Sequence, residues 1–330
     1  MSQRFDSIPV FDLEKFTQAT GESKDRLVFE LREICHNIGF FYVSNSGVSP
    51  KLMKQVLELT RSFFDLPQEE KDSISISQSP HYRGYGKLQA EMTLGIPDFK
   101  ETYDLGLEHA ARQSDPKRAY LQLQGPNQWP HSLSKTKFRE TVLTYLSEMQ
   151  KLGGKVMEAL SLVLELPESY FNQYFDPKSD DAYSILRLLR YPPARLKEGS
   201  DQLQLGVGPH IDSGCLVFLL QDETGGLQVQ NCDGEWIDAP PIDSTFVVNF
   251  GKMLQIWSND FLLATPHRVI NQSQKIRYSA PFFLEPSLST EVMPVGAVSK
   301  RGTIYGEFML EVYRRSFPLQ RTVPHSTAEK

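Results

Sequence analysis

The sequence predicts an α+β protein with a mostly β core: a double-stranded β-helix (jelly roll), preceded by an N-terminal α/β region and backed by one long helix. Three observations predict it. Between Tyr183 and Pro286, about eight short apolar runs alternate with Gly, Pro, Asn and Asp turns, the pattern of strands that close on themselves around a ligand cavity. From Ser134 to Leu166, apolar residues recur at three- and four-residue steps, the stripe of a helix laid on a sheet. The first third mixes short strand-like runs with amphipathic helices.

Taken in order, residues 8 to 13 read as a short strand. Ser23 to Asn37 reads as a helix carrying Leu27, Leu31 and Ile34 on one face, and Gly39 ends it. His36, near that end, reads as a cap or surface residue rather than a ligand. Phe40-Phe41-Tyr42-Val43 is a buried strand. Pro50 to Phe64 is a second helix, and Leu66 to Lys71 opens a short third one. Residues 78 to 132 are loop-rich, and loops of that length in an enzyme often carry function. They contain Glu91-Met92-Thr93 and a strand from Phe99 to Asp104. Pro167 and Pro177 mark the turn into the strand-rich half. Strands are expected at Ile185 to Tyr191, Cys215 to Gln221, Gly226 to Gln230, Glu235 to Ala239, Phe246 to Asn249, Met253 to Trp257, His267 to Ile270 and Ile276 to Leu284. Thr303 to Phe317 is a final helix, with a frayed tail from Gln320. The boundaries fall at 1–132 for the front region, 133–178 for the backing helix, 179–290 for the jelly roll and 291–330 for the last helix and tail.

Composition narrows the function. With 40% hydrophobic and 23% charged residues, the 330-residue chain can build a large core. A net charge of −6 argues against nucleic-acid or anionic-membrane partners, which want a basic footprint. A run of about 18 apolar residues, as a membrane span needs, does not occur. The first residues lack the apolar core of a signal peptide. Cys35, Cys215 and Cys232 form no CxxC, which points to reduced thiols and a cytoplasmic setting.

The chemistry is carried by His210-Ile211-Asp212, by His267, 55 residues after Asp212, and by Arg277-Tyr278-Ser279. Two imidazoles and a carboxylate on one face of a metal leave coordination positions open, as in non-haem Fe(II) oxygenases. On a strand, residues i and i+2 point to one side, so His210 and Asp212 can reach one ion. The third ligand must then come from a strand that folds back opposite. Arg277 and Ser279 share the same i, i+2 relation, placing a guanidinium and a hydroxyl on one face, suited to a carboxylate.

In these residues the sequence resembles the 2-oxoglutarate/Fe(II)-dependent oxygenases of the isopenicillin N synthase-like group. The resemblance spans nearly the whole chain. It runs through Ile8-Pro9-Val10-Phe11-Asp12-Leu13, Gly39-Phe40-Phe41-Tyr42-Val43, Leu188-Leu189-Arg190-Tyr191-Pro192-Pro193, Gly225-Gly226-Leu227-Gln228-Val229 and Asn249-Phe250-Gly251. It implies Fe(II) held by His210, Asp212 and His267, with O2 and 2-oxoglutarate as co-substrates. The far carboxylate of 2-oxoglutarate would meet Arg277 and Ser279, with Tyr191 nearby and Asn249 able to orient it or to serve as a buried structural amide. The implied reaction couples decarboxylation of 2-oxoglutarate to succinate and CO2 with hydroxylation of a small molecule.

One subgroup is more similar still: the ethylene/succinate-forming and the arginine- or homoarginine-hydroxylating enzymes. The shared stretches are Glu91-Met92-Thr93 before Pro97-Asp98-Phe99, Trp129-Pro130, Leu186-Arg187-Leu188 and Tyr305-Gly306-Glu307 with Arg315-Ser316-Phe317-Pro318. By that likeness Glu91 and Thr93 hold a substrate guanidinium, Arg315 lies near the substrate and Arg187 assists the co-substrate site. Ser213 departs from the tyrosine that follows the Asp ligand in many of these relatives, and the 55-residue gap is shorter than in the ethylene formers. The expected substrate is a small, guanidino-bearing amino-acid-like molecule. The alternatives are an iron oxidase without 2-oxoglutarate, an ethylene former and a non-catalytic binding module. The oligomeric state is left open.

Overall fold

Residues 4–112, 115–133, 137–297 and 301–317 are described by a computed structural model. The front of the chain builds β1 (Val10–Asp12), α1 (Leu13–Gln18), α2 (Gly21–Asn37), β2 (Phe40–Ser44), α3 (Pro50–Phe64) and α4 (Gln68–Ser73). The loop-rich stretch carries β3 (Gly84–Gly86), a small hairpin of β4 (Met92–Thr93) and β5 (Ile96–Pro97), and β6 (Glu101–Gly106). After α5 (Phe138–Val163) come β7 (Ser184–Tyr191), β8 (Val207–His210), β9 (Leu216–Gln221), β10 (Leu227–Gln230), β11 (Trp236–Asp238) and β12 (Phe246–Phe250). Helix α6 (Lys252–Trp257), β13 (His267–Val269) and β14 (Arg277–Leu284) follow. The hairpin of β15 (Glu291–Val292) and β16 (Thr303–Ile304) leads into α7 (Tyr305–Ser316).

Eight strands form one sheet in the order β1-β2-β12-β9-β14-β7-β6-β3, and four form a second in the order β11-β10-β13-β8. This is the expected jelly roll. Strand alternation decides what each face does. On β14, Tyr278, Ala280, Phe282 and Leu284 join the large core that includes α2, α3 and α5. The alternate residues Arg277, Ser279, Pro281 and Phe283 line a cavity between the sheets. On β7, Ile185, Arg187, Leu189 and Tyr191 line the same cavity, while Ser184 accepts a hydrogen bond from Gln150 of α5 at 2.8 Å. A smaller apolar cluster, with Phe40, Tyr42, Leu189, Val207, Val229 and Val247, joins the two sheets. Long helix α5 buries Phe138, Val142, Tyr145, Leu146, Met149, Leu152, Val156, Leu160 and Val163, the stripe read from the sequence.

Three details differ from expectation. Met253 to Trp257 is helix α6, not a strand. Its buried residues Met253, Leu254 and Trp257 fit a helical turn, and a short apolar run does not separate the two periods. Strand β8 carries His210 as expected but ends there, and no apolar run marks it because Gly208 and Pro209 interrupt it. As the edge strand of the small sheet it tolerates a proline that a central strand would not. The last helix starts at Tyr305, since Thr303 and Ile304 pair with β15. His36 is exposed, as expected; its Nδ1–H donates to the Phe261 carbonyl and its ring stacks on Phe261. The expected tail from Gln320 lies outside the described residues, as do residues 134–136 at the expected start of the long helix.

Candidate active site

The cavity between the sheets is about 560 Å³ and receives side chains from both of them. His210 ends β8 and His267 begins β13, and the two are register partners across that antiparallel pair. Their ring centroids are therefore 4.2 Å apart. Asp212 was expected on the same strand as His210, but the strand ends at His210 and Asp212 lies in the turn beyond it. The turn is pinned by the start of α6. Lys252 N–H donates to the Asp212 carbonyl at 2.7 Å, and Met253 N–H donates to the Gly214 carbonyl at 3.1 Å. The result still brings Asp212 Oδ1 to 3.6 Å from His210 Nε2 and Oδ2 to 3.6 Å from His267 Nε2.

These three residues fit a metal ion. Among the described residues they form a group of ligand atoms all within 4.8 Å of one another. His210 Nδ1–H donates to the Gly208 carbonyl at 2.9 Å, and His267 Nδ1–H donates to the Thr265 carbonyl at 3.2 Å. A carbonyl can only accept, so both rings carry the proton on Nδ1 and turn the Nε2 lone pair inward, as ligands must. Burial pulls the His267 imidazole down to about 4, which keeps it neutral. Burial opposes the Asp212 charge, yet the neighbouring imidazoles and the Asn249 amide hold its carboxyl well below the usual range. Asn249 Nδ2–H donates to Asp212 Oδ2 at 2.7 Å. That amide therefore orients the Asp212 carboxylate.

Gly251 makes this packing possible. A Cβ there would stand 2.2 Å from the Gly214 carbonyl oxygen and 3.1 Å from that of Asp212. Gly251→Ala should push the turn outward, costing about 1–3 kcal/mol of stability. Iron content should fall with it. Thermal unfolding and metal analysis check this, and unchanged values of both would show that the turn is not held this way.

Arg277 and Ser279 stand on β14, both fully buried. Arg277 Nε–H donates to the Gly225 carbonyl at 2.6 Å, and its other nitrogens reach Ser279 Oγ at 3.1 Å and Gln221 Oε1 at 3.3 Å. Its guanidinium carbon lies 4.8 Å from the Tyr191 ring centroid. Among the described residues it forms no ion pair with a carboxylate. A buried guanidinium without a protein counter-charge is a site for an anion from outside, and a dicarboxylic acid fits.

The other sequence-predicted residues gather at a second polar patch. Arg187 Nε–H and an Nη2–H donate to the two oxygens of Asp104 at 2.8 and 2.7 Å, and Nη1–H donates to Glu91 Oε1 at 2.6 Å. Arg187, which lines the same cavity, thus directs these donors to carboxylates of the protein. Lys100 Nζ lies 2.9 Å from Glu91 Oε2 and also pairs with Asp98. Burial pushes the Glu91 carboxyl up, but Arg187 and Lys100 outweigh it and bring it down to about 2. Thr93 Oγ1–H donates to Asp98 at 2.8 Å. Arg315 stands at the rim, its side chain 74% exposed, and pairs with Glu311 at 3.2 Å, one helical turn back. It lines the mouth of the same cavity. Lys100, Asp104 and Glu285 were passed over in the sequence. Glu285 alone left a signal, as the next member of the Arg277, Ser279, Pro281, Phe283 alternation.

Comparison with known proteins agrees with this geometry. Residues 8–132 match the family described as non-haem dioxygenase in morphine synthesis N-terminal, and residues 171–286 match the 2OG-Fe(II) oxygenase superfamily. The chain is 34% identical to a homoarginine-6-hydroxylase of Glycine max, covering 95% of this chain and 96% of that one. It is 34% identical to a 2-oxoglutarate-Fe(II) type oxidoreductase of Emericella nidulans, covering 98% and 94%. A full-length Neurospora crassa protein crystallised with alpha-KG and thymine superposes with a TM-score of 0.77 at 27% identity, covering 96% and 97%. Two imidazoles on facing strands with a carboxylate from the adjoining turn, a buried anion anchor in the same cavity and likeness along almost the whole length agree: the chain belongs to the 2-oxoglutarate/Fe(II)-dependent dioxygenases.

Proposed function

We propose that this oxygenase hydroxylates a small amino-acid-like substrate bearing a guanidinium. Bound Fe(II), with O2 and 2-oxoglutarate, supplies the oxidising power, releasing succinate and CO2. The chain's own residues do the rest. His210, Asp212 and His267 would hold the iron, Asn249 fixes the carboxylate ligand, and Arg277 with Ser279 grips the co-substrate beside Tyr191. Ile185, Leu189, Val217, Leu219 and Phe283 give the cavity an apolar wall that excludes water.

The observation that carries the substrate reading is the Glu91 carboxylate on the cavity wall, beside Thr93. Glu91, Asp98 and Asp104 face the cations Lys100 and Arg187 and, near Asp104, the buried Arg83. A substrate guanidinium entering beside Glu91 would meet that carboxylate with bidentate geometry. The Glycine max relative's name supports this choice. The absence of disulfides, with Cys35, Cys215 and Cys232 all free thiols, supports a cytoplasmic setting. No helix of the described residues is long and apolar enough to cross a membrane.

The test offers arginine, homoarginine and related guanidino acids beside neutral candidates such as thymine. Guanidino compounds should raise succinate release, and Glu91→Gln should raise their KM by ~10-fold or more. The KM for 2-oxoglutarate should change much less. Stimulation by a neutral compound alone would overturn the reading.

A further inference from the structure

Glu285, the residue just past β14, lines the same cavity and is only 4% exposed. No step above uses it. Its place follows from the sheet register. Asn249 of β12, Val217 of β9, Phe283 of β14 and Ile185 of β7 form one row across the large sheet. Asn249 bonds the Asp212 carboxylate, so this row marks the level of the metal. Ser279 lies four residues to one side of Phe283, roughly 13 Å along the strand, and Glu285 lies two residues to the other, about 7 Å. Arg277 and Ser279 thus bracket the co-substrate side, and Glu285 stands on the opposite side, where the substrate must sit.

The carboxyl is held in place from behind. Cys215 N–H donates to Oε2 at 2.8 Å. Oε1 lies over Gly214, where a Cβ would come within 2.0 Å of it, so only glycine leaves the carboxyl room. The groups around it are Asp212, the Cys215 thiol and the buried Tyr305 hydroxyl, and none is a cation. Burial pushes this carboxyl up to about 8. A carboxylate entering here would find no cation of the protein around Glu285, whereas an ammonium would favour the ionised form of this carboxyl and pair with it.

We infer that Glu285 is the acceptor for the primary ammonium of the substrate, fixing its amino-acid end while the Glu91 patch takes the guanidinium. The two carboxyls then set the length of the molecule and the carbon presented to the iron. This inference rests on the amino-acid substrate proposed above.

The test compares each guanidino amino acid with its desamino counterpart, in wild type and in Glu285→Gln. Wild type should prefer the amine-bearing compound by at least ~10-fold in KM, and the preference should collapse toward one in the variant. Glutamine retains the volume and the acceptor for Cys215 N–H. A KM ratio equal in both proteins, or a wild type indifferent to the amine, overturns the inference. If the variant turns over too slowly to measure, ligand-induced thermal shifts of the two metal-free proteins give the same comparison: an amine-dependent shift confined to wild type supports it, and equal shifts overturn it. If wild type accepts no guanidino amino acid, the substrate reading above has failed. The ratio is then measured with whichever amine it does accept, and acceptance only of compounds without an amine overturns the role of Glu285 as well.

Discussion

Asp212→Ala is expected to abolish coupled turnover and to strip the protein of iron. The carboxylate is the one anionic ligand in the set, and both imidazoles are positioned around it at 3.6 Å. Alanine leaves two neutral ligands and an Asn249 amide whose acceptor has gone. Loss of a mere supporting group around a metal costs roughly 10–100-fold in affinity or activity, so loss of the charged ligand itself should exceed ~100-fold. Asp212→Asn separates charge from shape, since it fills the same volume without the negative charge, and it should lose nearly as much. Iron content after purification and succinate formation under saturating Fe(II) check both variants. Wild-type iron loading in Asp212→Ala would remove the metal site from these residues.

Arg277→Ala is expected to raise the KM for 2-oxoglutarate by ~10- to 150-fold, the equivalent of a charge-assisted interaction of about 1.5–3 kcal/mol. The reason is the isolation of this guanidinium. Its contacts are Gly225, Ser279 and Gln221, all neutral, and it is fully buried beside Tyr191. Such a cation is tolerated because an anion completes it. Arg277→Lys should recover only part of the loss, because an ammonium keeps the charge but not the planar fork. Varying 2-oxoglutarate at fixed substrate and iron measures the effect. An unchanged KM would mean that the far carboxylate binds elsewhere, or that the substrate's own carboxylate occupies Arg277.

Much of this site was legible because strand periodicity converts spacing directly into direction. Arg277 and Ser279 could be placed on one face from their i, i+2 relation, and β14 bears that out. The same logic placed His210 and Asp212 together for a partly mistaken reason. The strand stops at His210, and the turn that carries Asp212 is held by α6. That helix was read as a strand, so its support for the ligand was invisible. The long helix was clear because its stripe runs through 26 residues, too many for a strand to imitate. The polar patch was harder. Glu91, Asp98, Lys100, Asp104 and Arg187 come from three parts of the chain, and their pairing depends on β6 lying beside β7. No local pattern announces that a loop carboxylate will be claimed by Arg187 of β7 and by Lys100 just before β6. Arg315 lines the cavity mouth, and its pairing with Glu311 follows from a local i, i+4 spacing that the sequence shows directly.

One measurement bears most directly on the account: succinate release by the iron-loaded wild-type protein with and without homoarginine, together with the mass of the recovered amino acid. The account predicts that homoarginine stimulates succinate formation and returns with one added oxygen atom per succinate released. Succinate formation that ignores every guanidino acid while a neutral compound stimulates it and is hydroxylated would contradict the account.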